Sequence, residues 1–208
     1  MKNPRRITTL FLDIGGVLLT NGWDHEARAR AAERFGLDLE ELTRRHEKTF
    51  DAYELGMMTL EEYLSRVVFT KRRSFSRRVF RRFVFAQSKA HPRMIGLFRR
   101  LKKSHGVKII ALNNEGRELM LHRIRTFRLD TLFDFYVTSC FVHLHKPDRA
   151  MYQAALDLSQ VSPRNALYID DRLNLVQAAR ALGMHAIHHE EYHSTKAGLA
   201  KYGLKIGD

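Results

Sequence analysis

Four short stretches of the sequence hold residue types that handle phosphate and a hard cation. Asp13-Ile14-Gly15-Gly16, Asn113-Asn114, Lys146 in the loop His145-Lys146-Pro147-Asp148, and Asp170-Asp171 each come after a run that reads as a β-strand. In an open α/β sheet the ligand sits outside the carboxyl ends of the strands, so these residues converge on one place. Three carboxylates packed there repel one another and resist ionising unless a cation joins them. A metal and a lysine resolve that conflict. Carboxylate oxygens without thiolates or paired helical histidines favour Mg2+, which keeps several waters and shares its shell with a phosphate. Phosphoryl transfer is the chemistry to which the set points. Any one of these residues alone would be an ordinary cap or turn; the ordered set is the signal.

The elements that position them are five short runs rich in β-branched or aromatic residues, at 7–12, 107–112, 135–138, 166–169 and 185–188. Apart from their acidic ends they read as buried, as parallel strands do. Helical patterns lie between most of them, at about 94–104, 115–127, 148–158 and 172–182. Strand alternating with helix predicts a doubly wound α/β fold, a parallel sheet with crossover helices. The stretch 20–90 is different, with helical patterns and no convincing strand. Asp24 is a good N-cap for the first, HEARARAAERF, and Gly36 supplies its stop. A second pattern covers 39–56, a third opens with the capping box Thr59 and Glu62, and a last covers 74–88 before Pro92. The expected organisation is an α/β core of residues 1–19 and 91–208 with an inserted helical cap at 20–90.

A chain of 208 residues with 44% hydrophobic residues makes one globular unit or one domain with a sub-domain. Disorder is excluded by 13 Phe and 7 Tyr against 4 Pro and 12 Gly. Cys140 is the only cysteine and cannot form an internal disulfide, and no apolar run approaches the roughly 18 residues of a membrane span. A soluble, cytoplasmic protein without a membrane partner is expected. Basic residues before an apolar stretch at the N-terminus faintly mimic a secretory signal, but Asp13 interrupts the stretch, which reads as a strand. The net charge is +13, and residues 71–103 contain thirteen Lys or Arg and no acid. As a helix, KRRSFSRRVFRRFVF would turn its Val and Phe inward and ring its outside with arginine. That face is either solvated or a field for an anionic partner, a multiply charged metabolite or nucleic acid. No nucleic-acid motif accompanies it, and its aromatics suit a core better than a stacking platform. The histidines 185, 188, 189 and 193 read as surface loop, and the group Cys140, His143 and His145 lacks the ligand agreement that zinc needs.

FLDIGGVL, ALNN, HKPD and LYIDDR followed by AARALGM stand in an order and spacing that resemble the haloacid dehalogenase superfamily. The likeness covers nearly the whole chain, in the subclass with a helical cap between the first and second motifs, and extends to sugar-phosphate phosphatases. It implies that Asp13 is the nucleophile that takes up the phosphoryl group. Asn113 would bind the transferring phosphate at a position usually held by Ser or Thr, and Asn114 would contact the substrate. Lys146 would neutralise nucleophile and phosphate. Mg2+ would be held by Asp13, the backbone carbonyl of Gly15 and Asp171, with Asp170 in its outer shell or bound through water.

Three departures qualify this. Gly15 stands where the family's phosphatases usually carry an Asp that moves the leaving-group proton, help typically worth ~10²–10⁴ in rate. Asn113 can still donate to phosphate through its amide. Leu175 replaces a usual Asn, with Asn174 one place early, which puts the orientation of groups around the metal in question. His25 and Glu115 are candidates for the missing proton carrier; the plainer readings are a helix start beside the N-cap Asp24 for the first and a first-turn helix residue for the second. The expected function is Mg2+-dependent hydrolysis of a small organic phosphate, of sugar 1-phosphate type, through an aspartyl-phosphate. Two alternatives stand beside it: a weak or inactive member that binds an anionic ligand or nucleic acid through the basic cap, and a dehalogenase-like hydrolase.

Overall fold

The computed structural model describes residues 6–207. The basic start of the chain, residues 1–5, and the last residue lie outside the described residues, so the expected core boundaries at 1 and 208 do too. Five strands, β1 (Thr9–Leu12), β2 (Lys108–Asn113), β3 (Phe135–Thr138), β4 (Ala166–Asp170) and β5 (His185–His188), form one sheet in the order β3-β2-β1-β4-β5. All four pairings are parallel. Leu12 pairs with Ala111 on one side and Ile169 on the other, so the ends of the three central strands are level. The order reverses beside β1, which places the crevice for a ligand where β1, β2 and β4 end.

Alternation along β1 sends Leu10 and Leu12 to one face and Phe11 to the other. The first face packs on Met94, Leu97, Phe98 and Leu101 of α6 (Pro92–His105) and on Leu199 of α11 (Tyr192–Lys201). The second packs on Met151, Tyr152 and Ala155 of α9 (Arg149–Ser159) and Val176 and Ala179 of α10 (Leu173–Ala181). Helix α7 (Arg117–Phe127) follows β2, and the single turn α8 (Ser139–Val142) follows β3.

Between β1 and α6 the chain forms α1 (His25–Phe35), α2 (Leu39–Glu47), α3 (Phe50–Glu54), α4 (Leu60–Val67) and α5 (Arg77–Ala86) around a core of their own that includes Trp23, Ala31, Tyr53, Tyr63, Leu64 and Phe80. The two linkers run side by side: Leu19 bridges Ala90, and Thr20 N–H donates to the Lys89 carbonyl at 2.9 Å. Local chemistry sets the helix starts. Asp24 accepts from the Ala27 N–H at 2.8 Å, and Thr59 and Glu62 form the capping box.

Some expectations are corrected. The helical pattern at 39–56 is two helices, because Thr49 leaves helical geometry and its hydroxyl donates back to the Arg45 carbonyl at 2.7 Å. Val79 faces solvent, whereas Phe80 and Val84 are buried. The histidines 185, 188, 189 and 193 are not in a surface loop: the first two end β5, His189 is buried with Nδ1 against the Thr195 hydroxyl at 2.7 Å, and His193 lies on α11. Cys140 is buried, and burial pushes its thiol up to about 12. Among the described residues no helix is long and apolar enough to cross a membrane. The arginines of α5 are partly matched, Arg77 and Arg81 by Glu61 at 3.6 and 3.7 Å, with Arg77 also over the Phe69 ring.

Candidate active site

The residue after β1 is Asp13, the last residue of β4 is Asp170, and Lys146 comes up from the loop before α9 to meet both. Lys146 Nζ lies 3.0 Å from Asp13 Oδ1, 2.7 Å from Asp170 Oδ2 and 2.9 Å from the Tyr168 hydroxyl. All three charged groups are buried, Asp170 completely. Asp170 is the best satisfied, since it also accepts from the Arg172 N–H at 2.8 Å and from the Tyr168 hydroxyl. Burial would raise its pKa, but Lys146, Tyr168 and the Arg172 N–H outweigh it and hold the carboxyl below its ordinary value. Among the described residues the Asp13 carboxyl has only Lys146 as a hydrogen-bond partner. Burial raises it to about 7 against the pull of that lysine, and Asp170 and Asp171 push it further the same way. Burial alone would lower Lys146; its two carboxylates win and hold it above its ordinary value.

Asp171 completes the acidic set. One oxygen from each of Asp13, Asp170 and Asp171 lies within 4.8 Å of the others. Asp171 Oδ2 accepts from the Asn21 amide at 3.5 Å, whereas its Oδ1 is buried with no hydrogen-bond partner among the described residues. Its pKa is raised, by burial first and then by Asp170. A buried, unpartnered carboxylate oxygen is costly unless something binds it. Three hard oxygens so close, one orphaned and two carboxyls raised, fit a divalent cation such as Mg2+. Gly16, at φ +69°, has the Asp171 carboxylate directly against its α-carbon, a position that only glycine fits.

A cavity of about 400 Å³ opens above this set. Its wall includes Asp13, Gly15, Asn114, Lys146 and Asp171 from the sheet side, and Trp23, Phe50 and Glu54 from the helical insertion. Burial raises Glu54 to about 7.

The two asparagines are placed differently from expectation. Asn113 is buried and is not part of the cavity wall; its Oδ1 accepts from the Thr138 hydroxyl at 2.8 Å and its amide meets Met120 Sδ at 3.6 Å. Thr138 pairs beside Asn113 across β2 and β3, and that partner turns the side chain inward. Asn114 does line the cavity, but its side chain is engaged with the backbone of Lys146, accepting from its N–H at 2.8 Å and donating to its carbonyl at 2.9 Å. It braces the lysine.

Neither expected proton carrier is free to act. His25 is exposed and outside the cavity wall. Glu115 lines the cavity, but lies before α7 rather than in its first turn, and one oxygen pairs with Arg123 at 2.7 Å while the other accepts from the Gly116 N–H at 3.1 Å. Leu175, expected to disturb the surroundings of the metal, is buried in the core below, and Asn174 is exposed.

Several site residues gave no motif signal. Tyr168 lies two residues before Asp170 and so on the same face of β4, a position that strand alternation could have flagged. Asn21, Glu54 and Arg123 gave no such signal, because long-range packing brings them in.

The family model of haloacid dehalogenase-like hydrolases matches residues 7–183, a span that contains every residue of the site. The haloacid dehalogenase-like hydrolase domain-containing protein 3 of Xenopus laevis is 34% identical over 82 residues, 39% of this chain and 33% of that protein. The sesquiterpene phosphatase astK of Aspergillus oryzae is 32% identical over 97 residues, 46% of this chain and 48% of that protein. The chain thus spans less than half the length of each of these curated relatives. A HAD family enzyme of Bacteroides thetaiotaomicron superimposes with a TM-score of 0.74 at 18% identity, over 89% of this chain and 94% of that one. The same enzyme has been solved in complex with magnesium and inorganic phosphate. At that identity the likeness shows the fold.

Proposed function

The chain belongs to the haloacid dehalogenase-like hydrolases, and from that premise we propose that it is a Mg2+-dependent phosphomonoester hydrolase working through an aspartyl-phosphate on Asp13. The observation that carries this reading is the pairing, on one cavity floor, of Asp13 held by Lys146 with the orphaned oxygen of Asp171. Lys146 fixes Asp13 Oδ1, which leaves Oδ2 to attack phosphorus in line with the leaving oxygen. The lysine also offsets charge on the entering phosphate, and Asn114 keeps it in place. Asp13, Asp171 and the Gly15 carbonyl, with Asp170 through water, would hold the Mg2+, which supplies charge neutralisation when bound. Asp170 is already engaged by Lys146, Tyr168 and the Arg172 N–H, which suits an outer role.

The helices of residues 20–90 act as a cap over this floor and select the substrate through Trp23, Phe50 and Glu54. A cavity of about 400 Å³ whose wall carries several carboxylates together with Lys146, Arg123 and Arg172 suits a small polar phosphate better than a long hydrocarbon. Sugar 1-phosphates fit best, because glycosyl groups need less proton assistance to leave and Gly15 supplies none. Purified protein assayed on p-nitrophenyl phosphate tests the reading. Turnover should require both Mg2+ and Asp13, and Asp13→Asn should remove it; turnover that survives either removal overturns the reading.

A further inference from the structure

Every acidic side chain on the cavity wall except one has a task or a place in the metal set. Asp13, held by Lys146, and Asp171 belong to the floor; Asp24 caps α1, and Glu115 is held by Arg123 and the Gly116 N–H. Glu54 remains, with no hydrogen-bond partner for its carboxyl among the described residues. We propose that Glu54, supplied by the helical insertion, is the general acid and base of the reaction, in the role for which Gly15 has no side chain. This rests on the phosphatase reading above.

Two observations support it. The first is at position 15: a side chain there would meet Asn21 Oδ1 at 2.8 Å, so an amide, which is no proton carrier, stands beside the place where one is missing. The second is that the short helix α3 is fixed to the core on both sides of Glu54. The Tyr53 ring fills the space that a side chain at Gly116 would need. The Glu54 carbonyl accepts from the Ser139 hydroxyl at 2.7 Å, and the Leu55 carbonyl meets His143 Nδ1 at 2.8 Å. Gly56, at φ +71°, lies directly on the Cys140 carbonyl. Four consecutive residues of the insertion thus dock on Gly116 and the α8 turn, and they hold Glu54 over the floor.

The surroundings suit both halves of the reaction. Burial first, then Glu115 and Asp51, raise the Glu54 carboxyl to about 7, with Lys146 and Arg172 opposing, so both of its forms are populated near neutrality. In the first half, Asp13 Oδ2 forms a bond to phosphorus, the ester P–O bond breaks toward the leaving oxygen, and that oxygen takes the Glu54 proton. The alcohol leaves, with Glu54 now a carboxylate. In the second half Glu54 takes a proton from water, whose oxygen attacks phosphorus. The P–Oδ2 bond breaks back to the Asp13 carboxylate, and phosphate is released.

The experiment compares wild type with Glu54→Gln, with Mg2+ present, on p-nitrophenyl phosphate and glycerol 1-phosphate, whose leaving groups differ in their need for a proton. With Glu54→Gln, kcat/KM on glycerol 1-phosphate should fall by ~10²-fold or more and that on p-nitrophenyl phosphate far less. The variant should also release a stoichiometric burst of p-nitrophenolate before a slow steady state, because the second half lacks its base. The burst amplitude of Glu54→Gln, one p-nitrophenolate per chain, checks that the fold and the Asp13 site survive. Equal losses on the two esters without a burst overturn the proposal and leave the phosphatase reading standing. A wild type that turns over neither ester overturns both.

Discussion

The sheet and the helical insertion meet at one cavity and bury polar groups in opposite ways. Below the cavity the sheet buries charge: Lys146 lies among Asp13 and Asp170, with Asp171 beside them. The insertion buries a neutral chain, in which Trp23 Nε1 donates to the Tyr63 hydroxyl at 2.8 Å and that hydroxyl meets His46 Nδ1 at 2.8 Å. Burial, and then Arg28, lower His46 to about 3, so it stays uncharged. The difference follows from what each part does. On the phosphatase reading the sheet needs fixed charge in a dry place and tolerates repulsion to get it, whereas the packing around Trp23 is set mainly by neutral hydrogen bonds, with Arg28, which donates to the Trp23 carbonyl at 3.0 Å, as the buried ion beside them.

Removing one charge should therefore cost the sheet most. Lys146→Met leaves Asp13 and Asp170 buried and unbalanced, and breaking such a set typically costs ~3–5 kcal/mol. Urea unfolding should show a loss of that order, together with loss of turnover. A change under ~1 kcal/mol would mean that the carboxylates are not held ionised by the lysine.

The joint between the two regions comes next. Arg123 is buried, pairs with Glu115 and donates to Ser88 Oγ at 3.0 Å and to the Asn21 carbonyl at 2.9 Å, so one guanidinium ties both linkers to α7. Arg123→Met should cost about 3 kcal/mol and raise proteolysis at residues 20–22 and 88–90 ahead of the sheet. Uniform protection would show that the linkers hold without it.

The last effect is graded by acid and is the smallest per step. His46 has a folded pKa of about 3 against 6.5 in a free chain, so unfolding takes up a proton between those values. Its contribution is complete above pH 6.5 and falls as the pH drops toward 3, at roughly 1 kcal/mol per pH unit. Trp23, the only tryptophan, lies in the affected chain. Its emission should shift during acidification before the far-ultraviolet signal of the sheet changes. Coincident transitions would erase the contrast between the two regions.

What could be read from the sequence divides along the same line. The strands, their parallel direction and the residues at their tips were legible, because local pattern and the alternation of strand with helix fix them. Asp24 and Thr59 with Glu62 were legible as helix starts for the same local reason. The direction of Asn113 was not, since Thr138 on a neighbouring strand turns it, nor was the engagement of Asn114 with Lys146, 32 residues away. Glu54 lay unmarked within a helical pattern; only the docking of α3 on Gly116 and α8, 85 residues away at Ser139, brings it to the cavity. The break between α2 and α3 hid for a smaller reason, because the Thr49 hydroxyl competes with the helix in a stretch that otherwise favours it. Helix α11 carries too weak an apolar stripe to stand out.

The central claim is a covalent phosphoryl group on Asp13. Protein mixed with Mg2+ and p-nitrophenyl phosphate, quenched in acid during turnover and digested, should yield a phosphorylated peptide that contains Asp13 and disappears in Asp13→Asn. Steady turnover with that peptide unmodified, or with the phosphoryl group on another residue, would contradict the account.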